Sequence, residues 1–234
     1  MSGGQFVRCQ SRRRSQCVSC SELTRNDWAA IGRSGVFDSE KLPVSGFQFY
    51  FLTLTAPSFG PVDEVGAARD EITYDYEGQV YWNQLSSGLW NATVSRLRRL
   101  MPTLEFFAVR EVQKRGALHF HVTLRVEATD AWVPAPDVAA EARAARVANS
   151  LTSSFAMWGA QADCQEIGAD ADETAETIWY VSKALCYSLK DLDSGTGAKA
   201  LEHHSRGRHR AAGTTCWSHA SSSRKLRSFT ERVS

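Results

Sequence analysis

The sequence has no long apolar run, no phosphate-binding glycine loop and no internal repeat. Its apolar stretches fall far short of the roughly 20 residues that a membrane-spanning helix needs, so we expect no membrane partner. The first arginines are not followed by an apolar segment, which predicts no secretory signal and a cytoplasmic protein. Because no G-x-x-x-x-G-K-[ST] motif is present, we expect no helicase or other P-loop module.

Net charge is also small, +1 over 234 residues, but it is unevenly distributed. Residues 1–33 hold six arginines and two acids, and residues 199–234 hold eight basic residues and two glutamates, so the segment between them is acidic. Basic ends on an acidic body indicate contact with a polyanion. The alternative interpretation is a pair of solvated tails.

The chain divides into a basic Cys-rich module (1–33), a middle region of strands and helices (34–193), and a linker with a basic tail (194–234). Hydrophobic periodicity and turn residues predict seven elements in the middle region. The predicted strands are Phe47–Thr55, Phe106–Gln113, Leu118–Val126 and Cys164–Ile167, and the predicted helices are Val80–Met101, Pro136–Trp158 and Thr174–Leu192. This order predicts an α+β fold with a central antiparallel sheet flanked by helices.

A His-Phe-His triplet is the most informative local pattern. Alternate side chains of a strand point the same way, so His119 and His121 share one face. Glu111 lies on the partner strand, and closing the hairpin at Lys114-Arg115-Gly116 can bring its carboxylate beside the imidazoles. Two histidines and a carboxylate can hold a divalent cation and leave positions open for water or a phosphate oxygen. The alternative is two strand histidines bonded to their neighbours.

The predicted helix Thr174–Leu192 carries two tyrosines and two lysines on one face, opposite an apolar stripe. They are spaced at i, i+3, i+7 and i+10, and they are Tyr180, Lys183, Tyr187 and Lys190. A nearby cation favours a phenolate and stabilises charge that builds on a phosphate, as a tyrosine nucleophile requires. The alternative interpretation is a solvated helix face.

Three of the six cysteines crowd near the start of the chain: Cys9, Cys17 and Cys20. In a cytosolic chain such crowding favours zinc over disulfides, and the alternative is three reduced thiols. Cys17 and Cys20 have zinc-knuckle spacing, and Cys9 is a candidate third ligand. The fourth ligand is open among Cys164, Cys186, Cys216, His203, His204, His209 and His219.

Several further blocks follow one another along the chain. They are the cysteine block Cys9–Cys20, the segment Phe51–Gly60 (FLTLTAPSFG), Trp82-Asn83 before Leu89-Trp90, Arg110–Leu118 before the triplet, Tyr180–Lys183 (YVSK), and the basic segment Ser223–Arg227. In this order they resemble the HUH endonucleases, and within them the rolling-circle replication initiators of actinobacterial plasmids and integrative elements. The resemblance covers most of the chain.

The resemblance implies a nicking and joining reaction on single-stranded DNA. Magnesium or manganese held by His119, His121 and Glu111 would polarise the scissile phosphate. Tyr180 would attack it, leaving a 5′-phosphotyrosine link and a free 3′-hydroxyl, with Lys183 orienting or charge-balancing the site. The implied partners are single-stranded or hairpin DNA at a replication origin, a host helicase and a polymerase.

The sequence departs from the resemblance in three places. Many relatives have a histidine soon after the Phe51–Gly60 block, and Asp63 stands near that position. Relatives often carry two tyrosines four residues apart, whereas Tyr180 and Tyr187 are seven apart, which leaves open which of them attacks. The region after Phe51–Gly60 is short, so an insert of longer relatives is expected to be absent. The residues expected to contact DNA phosphates without sequence preference are Arg12, Arg13, Arg14, Lys190, Arg224, Lys225 and Arg227.

Three other functions remain open at this level. A relaxase or transposase would use the same chemistry on a different DNA. A non-catalytic, zinc-containing DNA-binding regulator would use His119 and His121 structurally, and would tolerate Tyr180→Phe. A two-histidine, one-carboxylate oxygenase would need more strands than the sequence predicts.

Overall fold

The computed structural model describes residues 9, 16–38, 44–149 and 154–167. In this part the chain forms an α+β structure, as predicted, with three α-helices and two antiparallel sheets. The helices are α1 (Val18–Ser34), α2 (Tyr76–Leu100) and α3 (Ala135–Arg143). The strands are β1 (Phe47–Thr55), β2 (Glu105–Val112), β3 (Leu118–Glu127), β4 (Val147–Asn149), β5 (Ser154–Ala156) and β6 (Ala162–Ile167). None of the described helices has the length and hydrophobicity to cross a membrane.

The main sheet has the strand order β2-β3-β1-β6, with every neighbouring pair antiparallel. The strand with the His-Phe-His triplet, β3, is therefore an interior strand. It forms the predicted hairpin with β2, whose turn is closed by a 2.7 Å hydrogen bond from the Gly116 N–H to the Gln113 carbonyl. Gly116 has a φ of 81°, a conformation that glycine adopts without steric cost.

One face of the main sheet packs against α2 and α3 and forms the core. The alternating residues of β1 and β3 on this face are fully or nearly fully buried: Tyr50, Leu52, Leu54, Phe120, Val122, Leu124 and Val126. Helix α2 contributes Leu89, Trp90 and Leu97 to the same cluster. Each fully buried side chain of this size stabilises the fold by about 1.5–3 kcal/mol, which fixes the register of β3. Because side chains alternate along a strand, the residues between them on β3 lie on the opposite face.

The opposite face carries His119 and His121, and we call it the histidine face. Helix α1 covers part of it, because the Trp28 ring lies 6.3 Å from the Phe107 ring of β2. The missing side chain of Gly32 permits the approach, since a Cβ there would meet the Phe107 ring at 3.1 Å. The rest of the histidine face, towards the β2–β3 turn, holds the candidate site.

The predicted helix Pro136–Trp158 is wrong after about its first third. Helix α3 ends at Arg143, and the chain continues as the short strands β4 and β5. Val147 of β4 packs over Gly88 of α2. A Cβ placed on Gly88 would lie 3.7 Å from the nearest Val147 methyl group, which is an ordinary van der Waals contact. Packing on α2 thus overrides the helical propensity of the alanine-rich sequence, which serine and threonine residues weaken after position 149.

Helix α2 begins four residues before its predicted start at Val80. Its N-cap is Asp75, whose side chain accepts a 2.8 Å hydrogen bond from the Gly78 N–H. Such a cap satisfies one of the backbone donors at a helix start and is typically worth about 1 kcal/mol. Apolar periodicity alone did not reveal this first turn, because its one apolar residue, the buried Tyr76, is followed by Glu77, Gly78 and Gln79.

Candidate active site

The β2–β3 hairpin brings the three predicted metal ligands to one face of the sheet. Glu111 stands directly opposite His119 in the antiparallel register, and His121 lies two residues further along β3. The His121 Nε2 and Glu111 Oε2 atoms are 3.3 Å apart, and the centroids of the two imidazoles are 4.4 Å apart. The three side chains are neighbours, as strand alternation predicts, and their role as ligands stays a prediction.

Strand β1 adds a residue to the site that the sequence pattern did not identify. Thr55 pairs with His119 across the β1–β3 ladder, and its Oγ1 lies 3.0 Å from His119 Nδ1. A hydrogen bond at Nδ1 fixes the ring orientation and leaves Nε2 to act as a ligand, an arrangement common in metal-binding histidines. Thr55 and His119 are 64 residues apart, so no local motif could connect them.

The two imidazoles lie in a largely apolar environment. Burial lowers the pKa of His119 to about 4, and His121 adds to this effect, Glu111 opposes it and Arg115 lowers the pKa further. His119 is therefore neutral at physiological pH, the state in which an imidazole can bind a cation. The His121 ring stacks nearly parallel on Phe51 at 5.7 Å, whereas the Glu111 side chain is 28% exposed. The site thus has an apolar wall and a carboxylate facing solvent.

The donor set fits a divalent cation in its chemistry, because imidazole nitrogens and a carboxylate suit metals such as manganese. The ligand atoms of His119, His121 and Glu111 are farther apart than those of a metal site with its ion bound. Among the described residues, the group whose ligand atoms all lie within 4.8 Å of one another consists of Cys9, Cys17 and Cys20. Cation binding at His119, His121 and Glu111 would therefore draw the set together, and partial exposure gives the Glu111 side chain room to move.

Two other elements hold the turn that precedes the triplet. The Arg115 guanidinium donates to two carbonyls just past the end of β1, including that of Pro57 at 2.8 Å. From α2, the Asn83 amide donates to the Gly116 carbonyl at 2.9 Å and accepts from the Leu118 N–H at 3.0 Å. Three of the sequence blocks, FLTLTAPSFG, Trp-Asn and the segment before the triplet, therefore meet at this turn.

The cysteine block forms a second site at the start of α1. Cys17 is the N-cap residue, Cys20 lies in the first turn, and the Cys9 and Cys20 Sγ atoms are 3.4 Å apart. A disulfide has an S–S length of about 2.05 Å, so these two residues are not joined by one. The three thiols that crowd together in the sequence also lie together in space, and zinc binding stays a prediction.

Comparison with protein families decides where the chain belongs. The family model described as "Replication initiator protein, pSAM2" matches residues 2–65 and 63–232. The chain belongs to this family. A replication initiator protein of Streptomyces ambofaciens is 32% identical over 251 residues, which cover 83% of this chain and 54% of that relative. The chain thus spans about half the length of that relative. No solved structure matches it.

The family match of the chain comes in two pieces that meet at residues 63–65, where we expected an insert to be absent. The alignment with the relative is longer than the chain, so the relative has residues that this chain lacks. The structure has a closed loop here. Asp63 Oδ1 accepts hydrogen bonds from the Val65 and Ala67 N–H groups, and Lys114 Nζ donates to the Glu64 carbonyl at 3.0 Å. This loop therefore rests on the β2–β3 turn.

The predicted tyrosine helix and the basic residues lie outside the described part of the chain. Their roles stay predictions. They are Tyr180, Lys183, Tyr187 and Lys190, the arginines Arg12, Arg13 and Arg14, and Arg224, Lys225 and Arg227 of the tail.

Proposed function

We propose that this replication initiator nicks and rejoins single-stranded DNA at a replication origin, through a tyrosine nucleophile and by the chemistry of the HUH endonucleases. One observation carries the proposal. Glu111, His119 and His121 share the histidine face, and Thr55 occupies the Nδ1 position of His119. His119 is thus a partly buried neutral imidazole whose Nδ1 is already committed to Thr55, beside a carboxylate. Membership of the replication initiator family supports a DNA substrate at an origin.

His119, His121 and Glu111 would hold magnesium or manganese. When bound there, a divalent cation would act as a Lewis acid on a non-bridging oxygen of the scissile phosphate. The neutral state of His119 supplies a nitrogen lone pair without the cost of removing a proton. The Phe51 ring, stacked nearly parallel to the His121 ring, would limit the orientations of that imidazole and shield one side of the site from water.

The proposed covalent step is an in-line exchange at phosphorus. The Tyr180 hydroxyl loses its proton to solvent and its oxygen bonds to phosphorus, while the bond from phosphorus to the 3′-oxygen breaks. The departing oxygen gains a proton and becomes a free 3′-hydroxyl, and the 5′ side stays attached as a phosphotyrosine. Lys183 would offset the negative charge of this exchange. Reversal by an incoming 3′-hydroxyl rejoins the strand, and Tyr187 is the candidate for a second exchange.

Rolling-circle replication follows from the products of this step. A polymerase would extend the 3′-hydroxyl, and a host helicase would unwind the duplex. The basic residues at both ends of the sequence would bind the phosphate backbone without sequence preference. We also propose that the four-stranded sheet, with the triplet on its interior strand β3, is the central sheet of an HUH fold.

The test is a covalent adduct. The purified protein is incubated with manganese and labelled single-stranded oligonucleotides tiled across the origin of its own replicon, followed by a denaturing gel and peptide mass spectrometry. We expect an adduct on Tyr180 that is lost with EDTA, in His121→Ala and in Tyr180→Phe, and retained in Tyr187→Phe. An adduct on Tyr187 would keep the mechanism and correct the nucleophile.

A second candidate is a non-catalytic, zinc-containing DNA-binding regulator. The observation that favours it is the tighter gathering of the three cysteines compared with the histidine set. Such a protein would bind origin oligonucleotides tightly, would form no adduct with any of them, and would bind equally well as Tyr180→Phe. A relaxase or transposase of the same chemistry would form the adduct only with transfer-origin or element-end DNA.

A further inference from the structure

The three cysteines near the start of the chain come together at one end of α1. Their sulfur atoms all lie within 4.8 Å of one another, although Cys9 is separated from Cys17 by seven residues. Cys20 is buried, Cys17 is partly buried and Cys9 is exposed. Three sulfurs lie in this small volume, and that of Cys20 belongs to a buried residue. Such a set of sulfur donors suits a soft or borderline metal ion.

The start of α1 positions two of these ligands. Cys17 occupies the N-cap position and Cys20 the third helical position, so the i, i+3 spacing turns both sulfurs to the same side. The sulfurs of Cys17 and Cys20 therefore border one small volume, which the Cys9 sulfur also reaches.

The fourth described cysteine is not part of this set. Cys164 lies on β6 and belongs to the core cluster on the other side of the main sheet, away from α1. Burial raises the pKa of the Cys164 thiol to about 12, so it is held as a neutral thiol. The structure thus removes one of the seven candidates for a fourth ligand.

We propose that Cys9, Cys17 and Cys20 bind one zinc ion as thiolates, at a site separate from the histidine face. Binding would replace up to three S–H bonds with Zn–S bonds and release the protons to solvent. Zinc prefers four ligands in a tetrahedron, so one position remains for water or another residue. The site would fasten the chain around Cys9 to α1, the helix whose Trp28 and Gly32 pack on Phe107 of β2. This proposal is independent of the nicking reaction.

The test uses the full chain and zinc alone. Cys17→Ser is the key variant, because serine is itself a favoured N-cap residue and leaves α1 able to form. Cys164→Ala is the matched control, since it also removes one thiol. After zinc loading and desalting, we expect about one zinc per chain in His121→Ala and in His121→Ala with Cys164→Ala, and at least a fivefold loss in His121→Ala with Cys17→Ser, because the His121 substitution removes a ligand through which the histidine face would also bind zinc. Circular dichroism checks that the variants fold.

Cobalt substitution tells which atoms bind. A tetrahedral thiolate site gives intense thiolate-to-cobalt charge-transfer absorption, which we expect in Cys164→Ala and not in Cys17→Ser. Equal zinc in Cys17→Ser and the unaltered protein, with loss in His121→Ala, would overturn the proposal by assigning the metal to the histidine face. So would a protein that takes up no zinc under reducing conditions. Neither outcome bears on whether a tyrosine adduct forms.

Discussion

Replacing Thr55 with valine tests whether β1 orients the histidine site. The substitution keeps the β-branched shape that suits a strand and removes only the hydroxyl that lies 3.0 Å from His119 Nδ1. Loss of such a supporting hydrogen bond typically weakens metal affinity about 10–100-fold, which corresponds to roughly 1.4–2.7 kcal/mol. We therefore expect the Kd for manganese to rise by that factor, and adduct formation to recover at saturating manganese.

Thr53→Val is the matched control for this experiment. Thr53 lies on the same strand and the same face and pairs with His121, but within the described part of the chain its hydroxyl makes no hydrogen bond to either imidazole. Calorimetric titration of both variants with manganese compares the two hydroxyls directly. An unchanged Kd in Thr55→Val, or an equal loss in both variants, would refute the idea that Thr55 orients His119.

Three further predictions address the charge, the protonation and the packing of the site. Glu111→Gln should weaken manganese binding at least about tenfold, whereas Glu105→Gln on the same strand should leave it unchanged in the same titration. In metal-free protein the His119 ring should titrate near pH 4 by NMR. Because this folded-state pKa lies below 6.5, stability should fall as the pH drops from about 6.5 to 4, and a midpoint near 6.5 would contradict the burial argument. Gly66→Ala places a Cβ 2.5 Å from the backbone of the β2–β3 turn at a φ of 86°, and should lower the free energy of unfolding by about 2–4 kcal/mol. Gly46→Ala is the control, because Gly46 has a similar φ of 81° and a Cβ there would have no atom within 4 Å. Denaturant titration should therefore show a loss of unfolding free energy of only about 1–2 kcal/mol for Gly46→Ala. Equal losses in the two variants would exclude a tight contact between Gly66 and the turn.

The strands were predictable because their side chains alternate between two environments. The predicted Phe47–Thr55 matches β1 residue for residue, and the two strands of the hairpin were placed within about one residue of their bounds. Strand alternation and a glycine turn also sufficed to bring Glu111 beside the histidines. These features depend on neighbours in sequence, so the sequence alone contains enough information to predict them.

The features that could not be predicted depend on distant contacts. Thr55 meets His119 only because β1 inserts between β3 and β6. Asn83 acts on the β2–β3 turn from a helix that ends before the hairpin begins. The helix predicted over Pro136–Trp158 ended early for the same reason, because Val147 packs on α2 and local propensity does not record this contact. Side-chain periodicity predicts which face of a helix or strand is buried, but it does not predict which other element packs against that face.

The two candidate metal sites differ in a way that separates them experimentally. The cysteine set offers only sulfur, which favours zinc over manganese and magnesium, whereas the histidine set offers nitrogen and oxygen, which accept manganese, magnesium and also zinc. Both sites are connected through α1, because that helix carries Cys17 and Cys20 at its start and contacts β2, the strand of Glu111, through Trp28. A metal-stripped protein should therefore regain adduct formation when manganese or magnesium is returned. Zinc alone should restore the order of the helix start without the reaction.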